Sequence, residues 1–133
     1  MPAVSGVAHL ALSVRDLEVS EAWYSEVFGV STVRREQRPH RDTVVLADPA
    51  FPLVLSLCHH FGGATARFDE TRTGLDHVSF AVPDREALEA WAARLDELGI
   101  EHSAIAETPS GAVLVLRDPD HIQLEFSCAG PGR

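Results

Sequence analysis

At 133 residues the chain has the size of one ordinary domain, and 45% hydrophobic residues suffice to bury a core, which excludes a globally disordered chain. Its formal net charge of −9 excludes the basic footprint that nucleic acid or an anionic membrane surface requires. There is no run of about 18 apolar residues that would span a membrane, no basic-then-apolar leader in Met1-Pro2-Ala3-Val4-Ser5-Gly6, and only two cysteines, so Cys58 and Cys128 are expected as buried, reduced thiols in a cytoplasmic protein.

In chain order, Val7–Val14 alternates with the period of a strand. Asp16 follows as a helix N-cap, and a helix is predicted over Leu17–Phe28. Gly29 stands where a helix end takes a left-handed residue. Three strands are predicted near Thr32–Arg35, Thr43–Ala47 and Leu53–His59. They complete a first module over about residues 5–60. Residues 61–73, with Gly62-Gly63, read as a linker, and about 74–128 form a second module. That module opens with a strand over Leu75–Val82. Asp84 then caps a helix over Arg85–Leu98, where Leu88, Trp91, Leu95 and Leu98 make an apolar stripe. After Gly99 come strands near His102–Ala106, Ala112–Leu116 and Ile122–Cys128. The tail Ala129-Gly130-Pro131-Gly132-Arg133 is expected to fray.

The two modules are copies. Shifted by 68 positions, His9 falls on His77, Val14 on Val82, Asp16 on Asp84, and Glu21-Ala22-Trp23 on Glu89-Ala90-Trp91. Leu10, Leu12 and Val27 meet Val78, Phe80 and Leu95. Two copies are too few for a solenoid and imply a pseudo-two-fold α+β domain of order βαβββ, twice.

Neighbouring residues on a strand face opposite ways. Leu10, Leu12 and Val14 therefore oppose His9, Ala11 and Ser13. Val78, Phe80 and Val82, sharing a face with Asp76, oppose His77, Ser79 and Ala81. Ile122, Leu124, Phe126 and Cys128 oppose His121, Gln123, Glu125 and Ser127. The greasy faces should pack under the helices, and the small, polar faces suggest a cavity floor carrying His9, His77 and Glu125. On the fourth strand Ser56 and Cys58 share a face that would look the same way. Two imidazoles and one carboxylate with open positions suit Fe(II), Mn(II), Zn(II), Ni(II) or Co(II). At this point two readings stand: a metal site, or hydrogen-bonded structural histidines with a Glu125 that finds an arginine or solvent.

The segments Val7-Ala8-His9-Leu10-Ala11-Leu12-Ser13-Val14-Arg15-Asp16-Leu17, Trp23-Tyr24 and Phe28-Gly29 in the first module resemble the vicinal oxygen chelate superfamily, also called the glyoxalase/bleomycin-resistance/dioxygenase superfamily. So do Leu75-Asp76-His77-Val78-Ser79-Phe80-Ala81-Val82, Leu98-Gly99-Ile100 and Arg117-Asp118-Pro119-Asp120-His121-Ile122-Gln123-Leu124-Glu125-Phe126 in the second. The resemblance covers nearly the whole chain. It implies paired βαβββ modules forming an open, incomplete barrel, with divalent-metal ligands at His9, His77 and Glu125. It also implies a homodimer. From the facing of the strands, Glu125 is expected as the catalytic group and Ser56, Cys58 and Gln123 as substrate contacts.

Two departures shape the expectation. The glyoxalase I branch carries a fourth ligand, a Glu, on the last strand of the first module. Here Ser56 best matches that position, which argues against a four-ligand glyoxalase I unless His59, His60 or Cys58 substitutes in another register. Three ligands look more like extradiol dioxygenases, although the chain is about half their usual length, or like fosfomycin-resistance thiol transferases. The family's Asp-Pro-Asp turn usually continues with Gly or Asn, and here it continues with His121, read as a solvated turn residue. The expected function is a metal-dependent enzyme acting on a small substrate with two adjacent oxygens. The alternative is a metal-free binding protein of the bleomycin-resistance type that sequesters a drug or natural product. A retained fold with a vestigial site is a third.

Overall fold

The computed structural model describes residues 1–131; the last two positions of the tail expected to fray, Gly132 and Arg133, lie outside the described residues. The chain divides into two compact units, Met1–Ala66 and Arg67 onward. The first holds β1 (His9–Ser13), α1 (Leu17–Phe28), β2 (Ser31–Arg38), β3 (Arg41–Ala47) and β4 (Val54–His60). The second holds β5 (Val78–Ala81), α2 (Arg85–Glu97), β6 (Ala106–Thr108), β7 (Gly111–Arg117) and β8 (Gln123–Ala129). Each unit is therefore βαβββ, an α+β arrangement of one helix on one four-stranded mixed sheet. The strand orders are β1-β4-β3-β2 and β5-β8-β7-β6, and neither sheet closes on itself. None of the described helices is long and apolar enough to cross a membrane.

In the first unit β1 runs parallel to β4, with Leu10 beside Leu55 and Leu12 beside Leu57. Val44 and Leu46 continue this row on β3. Leu46, Leu55 and Leu57 are fully buried, as are Tyr24 and Val27 of α1 to within 1%. In the second unit burial alternates strictly along β7 and β8: Ala112, Leu114, Leu116, Leu124, Phe126 and Cys128 are buried. Above them α2 presents Leu88 and Leu95, and Trp91 stacks on Phe126 with ring centroids 4.1 Å apart. Each fully buried Leu contributes roughly 1.5–3 kcal/mol. The greasy faces predicted from alternation are thus the helix-covered faces.

Local chemistry sets the helix ends. Asp16 accepts from Val19 N at 3.1 Å and Asp84 from Ala87 N at 2.9 Å, as the capping residues should. Gly29 ends α1 in the left-handed region (φ 69°) and hydrogen-bonds Ser25 O. At the start of β7, Gly111 is irreplaceable: a Cβ there would lie 1.9 Å from Cys128 O.

Several strands differ from expectation. The first strand begins at His9 rather than Val7, where its partner begins at Val54 just after Pro52, which cannot donate to a ladder. The fifth begins at Val78 rather than Leu75, and its partner β8 begins at Gln123, after the turn that Asp118 organises. The strand predicted over His102–Ala106 is reduced to Ala106–Thr108 plus a single bridge between His102 and Leu116. Ser103 is the reason: its hydroxyl accepts from Val115 N at 2.9 Å, taking the place of a strand carbonyl. Cys58 and Cys128 are free and buried.

Candidate functional site

The polar face of the second sheet is built from β5, β8 and β7. Glu125 pairs in register with Ser79 on one side and Val115 on the other. Ser127, two residues along, meets Ser79, their hydroxyls 2.8 Å apart. His77 stands one residue before the Val78–Leu124 pair. It reaches Glu125, with Nε2 3.5 Å from Oε1. Its other ring nitrogen, Nδ1, lies 2.7 Å from Asp76 Oδ1.

That second contact decides what Nε2 can do. A carboxylate accepts only, so in the neutral ring the closer Asp76 contact favours the hydrogen on Nδ1 and leaves the Nε2 lone pair toward Glu125, free for an ion. Two ligands each about 2.1 Å from one ion stand roughly 3.0–3.4 Å apart, close to the spacing observed. The pair therefore fits a divalent ion in donor type, tautomer and separation. Asp76 was expected on the greasy face, opposite His77. It meets His77 because both residues precede β5, where strand alternation does not apply.

Gln123 follows on the same face, two residues from Glu125. Its Oε1 accepts from Arg117 Nη2 at 3.0 Å, and Arg117 is its register partner on β7. Glu70 grips Arg117 with both oxygens, at 2.7 and 3.3 Å. The guanidinium holds the Glu70 carboxyl down at about 2, chiefly through these hydrogen bonds. Arg117 also donates to His121 O at 3.0 Å. His121 itself lies on the turn with φ 69° and Nδ1 2.5 Å from an Arg67 nitrogen. Burial and the two neighbouring guanidiniums, Arg67 and Arg117, lower its pKa. The left-handed backbone explains why the resembling family places Gly or Asn here.

The corresponding face of the first sheet carries His9, Ala11 and Ser13 beside Val54, Ser56 and Cys58. His9 is exposed and Ser56 half-buried. Cys58 is buried and its sulfur accepts from Thr43 Oγ1 at 3.5 Å. His59 points to the other face, with Nδ1 3.2 Å from Val14 O. Tyr24 is wholly buried, edge-on to Trp23 at 4.9 Å, and serves helix packing. Among the described residues, neither unit by itself gathers three or more His, Cys, Asp or Glu side chains around one point. The structure brings together His77, Glu125 and Gln123 in one unit and places His9, Ser56 and Cys58 on one face of the other. Asp76, Arg117 and Glu70 were missed. Arg117, at the end of an apolar strand and in line with Val113 and Val115, is the signal that could have found them.

This paired βαβββ architecture with a polar sheet face defines a vicinal oxygen chelate fold. The model of the glyoxalase/bleomycin resistance protein/dioxygenase superfamily matches residues 6–126, and the chain belongs to that superfamily. A glyoxylase/bleomycin resistance protein/dioxygenase domain from Frankia sp. EAN1pec is 37% identical, with a TM-score of 0.88 over 98% of this chain and 96% of that one. A lactoylglutathione lyase from Agrobacterium tumefaciens (22% identity, TM-score 0.72, 94% of each chain) shares the fold. So does the fosfomycin resistance protein FosX from Listeria monocytogenes (16% identity, TM-score 0.74, 97% of each chain). No curated protein matches the sequence.

Proposed function

We propose that the chain is a small divalent-metal-dependent enzyme whose ligands are His9, His77 and Glu125 and whose substrate offers two adjacent oxygens. The observation that carries this reading is the pair His77 Nε2 and Glu125 Oε1, facing each other at 3.5 Å with the far side of the imidazole pinned by Asp76. His9 is assigned by the internal repeat, which makes it the counterpart of His77. A bound divalent ion would supply Lewis acidity toward the two oxygens. The chain's own residues do the rest. Asp76 fixes the imidazole tautomer. Glu125 is assigned as the catalytic carboxylate because it lies on the polar face of β8 with Oε1 3.5 Å from His77 Nε2. Ser56, Gln123 and Cys58, whose sulfur accepts from Thr43, are assigned as the substrate contacts. A four-ligand isomerase is not proposed, since Ser56 brings a hydroxyl where a fourth carboxylate would be needed.

The reading is tested by metal analysis of protein purified without added metal. One equivalent of Fe, Mn, Zn, Ni or Co per chain is expected, lost in His77→Ala. Activity against catechols, hemithioacetals and fosfomycin then sorts the reaction class. No metal, together with tight binding of a cationic polycyclic drug, would instead support a sequestering protein, the reading that a net charge of −9 favours.

A further inference from the structure

We infer that Glu70 and Arg117 lock the Gln123 amide as a hydrogen-bond donor beside His77 and Glu125, so that the site selects a chelating molecule with an anionic oxygen at that position. The inference rests on the proposed metal reading for the chelation and on the geometry of the second unit for the rest. A guanidinium has donors only. Gln123 can therefore meet Arg117 only through Oε1, and the reverse orientation would set two donors against each other. Arg117 cannot swing aside to allow it, because Glu70 holds it with both oxygens and His121 O takes a further hydrogen bond. With Oε1 committed at 3.0 Å, the two Nε2 hydrogens find no acceptor among the described residues. They belong to the face that carries Glu125, two residues along the same strand, and Glu125 in turn meets His77 Nε2 at 3.5 Å.

The charge arrangement narrows the ligand further. Glu70 offsets Arg117, so what the site presents is an oriented neutral dipole rather than a free cation. Such a donor strengthens with the negative charge on its acceptor. It favours a carboxylate, enolate or catecholate oxygen over a hydroxyl that keeps its hydrogen. Gln123 is thus a specificity residue, and Arg117 and Glu70 are positioning residues that act through it.

The test uses the full chain loaded with Mn(II), with oxalate as the probe. In Gln123→Leu, Mn(II) affinity should match the wild type, because the amide is no ligand, while oxalate affinity falls about tenfold or more. Glu70→Gln and Arg117→Met should weaken oxalate in the same direction with Mn(II) affinity unchanged. A readout in the metal-free protein isolates the positioning role: the Gln123 side-chain NH₂ resonances should move toward random-coil values in Arg117→Met. Mn(II) uptake with unaltered oxalate affinity in Gln123→Leu would overturn this inference and leave the metal reading intact. Unmoved amide resonances in Arg117→Met would overturn the positioning role. Absence of Mn(II) uptake by the wild type would overturn both readings together.

Discussion

Glu70 and Arg117 show how a single ion pair becomes a pH-dependent part of the structure. Arg117 holds the Glu70 carboxyl at about 2, below the usual carboxylate range. A carboxyl whose pKa is lowered on folding stabilises the fold above its unfolded value, near 4.3, and that contribution fades as the pH falls toward the folded value. Carbon-detected titration of Glu70 is expected to give a midpoint near 2 in the wild type. In Arg117→Met the midpoint returns to the ordinary range, and the acid limb of the stability curve between about pH 4 and 2 flattens. Beside it, His121 is the sole non-glycine among the described residues with a left-handed backbone. The Asp118 carboxylate draws the turn tight by accepting from Asp120 N at 2.9 Å and Ile122 N at 2.8 Å. That chemistry was hidden in the sequence, where the Asp-Pro-Asp-His run announced a turn but not which residue bears its strain.

The helices were legible almost to the residue because their ends are local chemistry. Asp16 and Asp84 cap, glycines terminate, and the apolar spacing needs no knowledge of the rest of the chain. Strands were less legible because their limits belong to their partners: β1 and β5 begin where β4 and β8 make pairing available, and the sixth strand yields to the Ser103 side chain. The shortened β5 is also why Asp76 and His77 meet. The capping role has a plain consequence. Asp84→Ala removes the acceptor of Ala87 N and should destabilise the protein by about 1 kcal/mol in urea unfolding. Asn at the same position should recover most of the loss.

At the scale of the molecule, the internal repeat made the βαβββ order of each unit readable before any coordinates and is the ground for the proposed ligand triad. Identical residues at equivalent positions in two copies constrain both. Alternation along β8 sets Glu125 and Gln123 opposite the buried Leu124 and Phe126, as a half-buried strand must. What the repeat could not reveal is whatever lacks a counterpart. Glu70 lies in the second unit ahead of β5, and its hold on Arg117, 47 residues away, depends on the folded path of the chain. The central claim is that one ion is shared by residues from both copies. Anomalous diffraction from a crystal grown with Mn(II) tests it directly. A peak within about 2.0–2.3 Å of nitrogen from His9 and His77 and oxygen from Glu125 is the expected result. A peak bound by other side chains, or none at an occupancy that solution binding requires, would contradict it.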